Sequence, residues 1–233
     1  MLHFRSPAVE NHLPPARDPN AGSGTGTIAA SQFAVSGIGP SSVVETARGP
    51  VLARDLRLGD KLVTRDKGLQ PLRWIGESAV AYGSPAEETA APRRGPVRIR
   101  AGAAGSNPDA GNLVLAPGQR LLVRGRLNEL LFATDEVMAA AGDLTHLDGI
   151  DIVPRDTGRW VHLLLDSHEL LRVNGLWMES FAPDMWSLRV AWPEHWHQIT
   201  EAMPRLKYDA ATASYVGARL SLDAREARLV EGL

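Results

Sequence analysis

From Phe33 onward the chain alternates apolar and polar residues in short runs, broken by glycine and by charged turns. A period of two is the mark of a half-buried β-strand, because successive side chains point to opposite faces. Residues 42–46 and 50–53 are predicted strands joined through Ala47-Arg48-Gly49. Leu58-Gly59-Asp60 turns the chain into a strand at 61–65, and Asp66-Lys67-Gly68 turns it again into 70–81. On that last strand Leu72, Trp74 and Ser78 share one face. Residues 96–100 alternate cleanly, and 112–116 with 119–124 read as a strand pair around Pro117-Gly118. Further strands are predicted at 160–165 and 169–173. Asn174-Gly175 is then the strongest hairpin signal in the chain, since both turn positions need positive φ, and it leads into a strand at 176–181.

The pattern changes period in three places. Residues 128–141 space Leu131, Phe132, Val137 and Met138 as a short helix would, with Gly142 as its C′ residue. After Pro183 the chain reads as helical around 194–203 and again around 222–229. Residues 82–95 and 102–111 are flexible loops, and no internal repeat stands out. Residues 1–32, rich in Pro, Ala, Gly and Ser, bury too little to offset their ordering entropy and are expected to be a disordered leader. The expected organisation is a leader at 1–32, a mainly β domain at 33–182 and a helical C-terminal extension at 183–233.

Composition narrows the chemistry. A hydrophobic fraction of 44% in 233 residues is enough for a packed core. The net charge of −2 gives no footprint for nucleic acid or anionic lipid. With no cysteine, disulfides, thiolate metal sites and cysteine nucleophiles are excluded. There is no apolar run of the ~20 residues a membrane span needs and no secretory h-region, so the cytoplasm is the expected compartment, with leaderless secretion left open. No P-loop, dinucleotide fingerprint, GxSxG elbow or HExxH occurs. His195 and His197 beside Glu194 suggest a metal site, but Trp186, Trp192 and Trp196 around them read instead as an amphipathic cover on the sheet. These residues identify no metal, cofactor or partner, and Arg93, Arg94, Arg98 and Arg100 are expected to face solvent.

Four ordered landmarks carry a family resemblance. They are ETARGPVLARDLRLGDKLVTRDKGLQPLRWIG, then PVRIRAGAAG followed by NLVLAPGQRLLV, then FATDEVMAAAG with the later GID, and finally WVHLLLDSHELLRVNGLWMESF. Together they cover about 150 residues and resemble the Hedgehog/intein (Hint) self-processing domain in its short bacterial form. The tail YVGARLSLDAREARLV resembles the segment C-terminal to that domain in bacterial relatives. The resemblance implies a horseshoe of β-hairpins with one short internal helix.

The resemblance also implies a reaction. Such domains attack their own backbone through a Cys or Ser at the first position, which performs an acyl shift on the preceding carbonyl, while a His protonates the departing amine. An ungapped match puts Gly37, with no side chain, at the nucleophile position; one extra residue puts Ser36 there. Gln119 stands where the family has its loop His, and an amide cannot shuttle a proton. Asp166 and His168 match the late functional segment, two apart and so on one strand face, or else serve as a turn residue and a buried side chain. His162 is shared with the bacterial group and reads as structural, and Glu179-Ser180 replaces the intein His-Asn pair, so Asn cyclisation is absent. This leaves two expectations. The first is a degenerate, non-processing domain that keeps its cleft for a protein or peptide partner. The second is slow autoproteolysis at the Val35–Ser36 bond by Ser36 with Asp166 and His168.

Overall fold

In the computed structural model residues 36–82, 95–155, 157–208, 215 and 217–233 are described. The expected leader and the loop arginines Arg93 and Arg94 lie outside them. The turns near the start of the chain close by one repeated device. Thr46 Oγ1 donates to the carbonyl of Gly49 at 2.7 Å, and Thr64 Oγ1 to that of Gly68 at 2.8 Å. Both glycines take positive φ, 97° and 65°, which a residue with a Cβ adopts only with strain. These turns join β1 (Val43–Thr46) to β2 (Gly49–Leu52) and β3 (Lys61–Thr64) to β4 (Gly68–Pro71).

β5 (Trp74–Ala81) comes after a break at Leu72-Arg73, so the single strand expected at 70–81 is two. The peptide of Leu72 bonds back to the turn at Asp60, while Arg73 N–H donates to Leu164 O, and the chain switches sheets there. Leu72, Trp74 and Ser78 are all buried, but Leu72 precedes the break and packs in the main core, whereas Trp74 packs in a second one. Then come β6 (Val97–Ile99), β7 (Leu113–Leu115), β8 (Arg120–Arg124), β9 (Glu136–Ala140), β10 (Ile150–Ile152), β11 (Thr157–Leu164), β12 (Leu170–Val173), β13 (Leu176–Glu179) and β14 (Leu220–Ser221). The described residues also form three α-helices, α1 (Arg126–Phe132), α2 (Met185–Ala191) and α3 (Pro193–Ala202).

Among the described residues the strands form a nine-stranded sheet, ordered β14-β9-β8-β13-β12-β1-β3-β4 with β2 beside β1, together with β10-β6-β7 and the long ribbon β11-β5. Two sequence expectations are corrected here. β7 and β8 do not pair with each other. β7 pairs with β6, and β8 lies between β9 and β13, because Pro117-Gly118 carries the chain from one sheet to the other rather than closing a hairpin. The helix expected at 128–141 ends at Phe132, where Ala133 takes a left-handed φ of 56° as its C-cap. Val137 and Met138 lie on β9, so Gly142 is not a C′ residue. The apolar run on β9 is buried on both faces and lacks the alternation that tells strand from helix.

The Asn174-Gly175 hairpin forms as expected, with φ of 48° and 83°. The Asn174 side chain is buried and cross-links three segments, accepting from Val43 N–H at 2.7 Å and donating to Ala110 O and Gly111 O at 3.2 and 3.3 Å. The main core runs through Leu62, Leu72, Ile99, Leu113, Leu115 and Leu121, all fully buried. Truncating one such Leu to Ala costs ~2–5 kcal/mol. A second core sits under α2 and α3, where Trp74, Leu164 and Phe181 meet Met185, Leu188 and Ile199. The end of the chain is only partly helical, with a short 3-10 turn at Glu226–Leu229, while β14 adds in parallel to β9. No helix among the described residues is long and apolar enough to cross a membrane.

Candidate functional site

Residues 37–39 thread between β7 and β11. Ile38 exchanges backbone hydrogen bonds with Val161, at 3.1 and 2.8 Å, and Gly39 N–H donates to Val114 O at 2.8 Å. Just before this clamp the chain crosses a cleft of about 300 Å3. Ser36, Gly37, Gln119, His162, Glu179 and Ser180 line it. Its floor is apolar, with Ile38, Val161, Leu163, Met178 and Phe181, and Asp184 and Ser187 from the start of α2 stand at its rim.

Gln119 is held by the Ala116–Gln119 turn, with Pro117 pre-setting φ. Gln119 N–H donates to Ala116 O at 3.0 Å, and Ala116 N–H donates to Gly37 O at 3.0 Å. From the other side Gly142 N–H donates to Pro117 O at 2.8 Å; a Cβ on Gly142 would meet that carbonyl at 3.2 Å. The buried Gln119 side chain then spans the cleft. Its Oε1 accepts from Gly37 N–H at 2.9 Å, and its Nε2 donates to Glu179 O at 3.0 Å. Both ends of the amide are engaged.

Gly37 has φ of 120° and no room for a side chain. A Cβ there would fall 2.7 Å from Trp160 Cβ and 3.1 Å from His162 Cε1. Ser36, the next residue back, is half-buried at the cleft. His162 forms the wall behind Gly37. Its Nε2 shares a 2.8 Å hydrogen bond with Ser78 Oγ, and its ring meets the edge of Phe181 at 5.2 Å. Burial, helped by the charge of His195, pushes its pKa down to about 3, so the imidazole is neutral near pH 7.

Ser36 and Gln119 therefore share one cleft. Asp166 and His168 are not among its lining residues. Asp166 is half-buried just beyond β11 and forms a two-pronged pair with Arg73, at 2.9 and 2.7 Å. His168 lies across Glu179 in an adjoining cavity, its Nε2 3.5 Å from the carboxylate. The C-terminal extension covers this edge. Arg205 donates to Asp166 O, Tyr215 Oη donates to Leu165 O at 3.0 Å, and the Tyr215 ring stacks on His168. Sequence reasoning takes His162 as structural and misses its place in the cleft wall. Its polar position on an apolar strand (VHLLL) is the available signal. His195 Nε2 shares a 3.1 Å hydrogen bond with Glu77 O and packs edge-on against Trp74 and Trp192, and Arg98 pairs with Asp151 at 2.6 Å.

A β-horseshoe whose first residues are clamped across a cleft, beside a turn that holds the first amide, defines a class of self-processing folds and their relatives. The Hint domain family matches residues 39–185, and the chain belongs to that family. Solved structures similar to it include the gp41-1 intein (9% identity, TM-score 0.36, 61% of this chain and 97% of that one). The MchDnaB-1 intein is similar at 10% identity, with a TM-score of 0.38 and coverage of 62% and 99%. A variant of the Ssp DnaB mini-intein is similar at 9% identity, with a TM-score of 0.36 and coverage of 62% and 94%. The curated proteins contain no match to the chain.

Proposed function

We propose that this protein is a Hint-domain relative of self-processing proteins that no longer processes itself and keeps the cleft as a binding module for a protein or peptide segment. The observation that carries the reading is Gln119. Its amide is spent as a cross-link between Gly37 N–H and Glu179 O, and a carboxamide has no proton to deliver to a departing amine. Three further features support it. Position 37 admits no nucleophilic side chain. The cleft imidazole, His162, has its pKa near 3 and is a weak base at neutral pH. The Asp166–His168 edge is covered by the C-terminal extension. An apolar floor with a polar rim suits an extended peptide, whose side chains alternate between the two.

Intact mass of the purified full-length chain, incubated with and without hydroxylamine, tests the loss of processing. An N-to-O shift would break the Val35–Ser36 amide and form an ester on Ser36 Oγ, which hydroxylamine cleaves. The expected mass is that of the whole chain under both conditions. Cleavage at Val35–Ser36 that Ser36→Ala abolishes would establish slow serine autoproteolysis instead.

A further inference from the structure

Arg120, Glu179 and Ala182 line both the entry cleft and a second cavity of about 210 Å3, so the two adjoin. The second cavity contains an unmet demand. The His168 side chain is only 6% exposed, and among the described residues neither ring nitrogen has a hydrogen-bond partner. A neutral imidazole carries one donor and one acceptor, and leaving such a group buried and unpaired costs about 1–3 kcal/mol. Glu179 accepts one long hydrogen bond, from Arg120. It is 11% exposed, with Oε2 3.5 Å from His168 Nε2 and Oε1 3.5 Å from Arg120 Nη1.

Charge decides what kind of molecule meets this demand. Arg219 lines the cavity, but its guanidinium is committed to Asp66 at 3.1 and 2.8 Å and to Glu136 at 2.7 Å. Arg120 and Glu179 oppose each other. An anion would confront the Glu179 carboxylate, and a cation would confront two guanidiniums, so a neutral ligand fits the balance. Acceptor (Glu179), donor (Arg120) and a group that is both (His168) stand side by side, with the Ser221 hydroxyl also on the wall. Hydroxyls, which donate and accept, match that mixture. The Tyr215 ring, parallel to His168 within 21°, and Met138 supply apolar walls for carbon-bound hydrogens. At about 30 Å3 per water the space holds roughly seven waters, below the ~300–1,000 Å3 of pockets for drug-sized ligands.

We propose that this cavity binds a small neutral polyol, a vicinal diol on a sugar ring or a short alditol, with adjacent hydroxyls bridging Glu179 Oε2 and His168 Nε2. The inference does not rest on the loss of processing, which the mass measurement reads separately. The test titrates the 15N-labelled full-length protein with D-ribose and with glycerol and follows the histidine ring nitrogens by NMR. Sodium acetate, inorganic phosphate and ammonium chloride serve as comparison probes. The His168 signals are expected to shift saturably with a polyol, with Kd of roughly 1–10 mM. The His162 signals act as the internal reference for an intact fold. Glu179→Gln, which keeps size, is expected to weaken binding by about tenfold or more, and His168→Asn to abolish it. Silent His168 signals up to ~100 mM of either polyol overturn the proposal, as does a response to acetate, phosphate or ammonium in place of the polyols.

Discussion

His162 and Asp166 stand four residues apart at the end of β11, yet they belong to two differently built regions. Around His162 and Gly37 the polar groups are buried and satisfied from within the β-domain, by Ser78, Gln119, Ala116 and Val161. Around Asp166 and His168 the cover comes from Arg205 and Tyr215, later in the chain, and among the described residues the His168 nitrogens have no hydrogen-bond partner. The first region is locked by steric fit, where backbone and side chain leave no room. The second is covered by a later segment and borders a smaller cavity. A polar position can thus be satisfied in place by neighbouring backbone, as at Gln119, or covered by a later segment, as at His168.

The sharpest way to break this contrast is to force a side chain into the locked region. Gly37→Cys places a Cβ against Trp160 and His162 at a φ that favours glycine, and is expected to cost about 3–5 kcal/mol by denaturant unfolding, with no cleavage in the intact mass. Recovery of cleavage would show that the region is adaptable rather than locked. Acid tests the same wall. His162 has a folded pKa of about 3 against an ordinary 6.5, so the unfolded chain takes up the proton first. Its contribution is full above about pH 6.5 and is lost as pH falls toward 3, a loss on the order of 2–4 kcal/mol. The stability-versus-pH slope between those values should flatten in His162→Gln. Gln119→Ala removes a cross-link and strands Gly37 N–H and Glu179 O, with an expected cost of about 2 kcal/mol and faster amide exchange at Gly37. The docked region should be the most forgiving. Tyr215→Phe loses one hydrogen bond to Leu165 O, an expected ~1 kcal/mol, and should loosen amides near Asp166 and His168 while leaving Gly37 protected. Equal loosening at both places would erase the distinction.

Much of this is legible along the chain. The threonine–glycine turns, the Asn174-Gly175 hairpin and the buried face of Trp74 and Ser78 arise from turn chemistry and period two, which act over a few residues. The ordered landmarks lead to the Hint family. β9 reads wrongly as helix because Val137, Met138 and their neighbours are buried on both faces, which removes the alternation that marks a strand. The 70–81 strand reads wrongly as continuous because nothing local tells Leu72-Arg73 to change sheets; that is decided by Asp60 and Leu164, distant in sequence.

The sequence by itself determined the β-rich family, the absence of a thiol and a carboxamide at position 119. Each is a property of residue identity and short-range spacing. Only the tertiary structure decided that Gly37 has no space for a nucleophile, that His162 rather than His168 faces the entry cleft, and that Tyr215 closes over His168 from about fifty residues downstream. Those outcomes depend on which distant segments exclude water from the same few ångströms, and spacing along a chain carries no record of that.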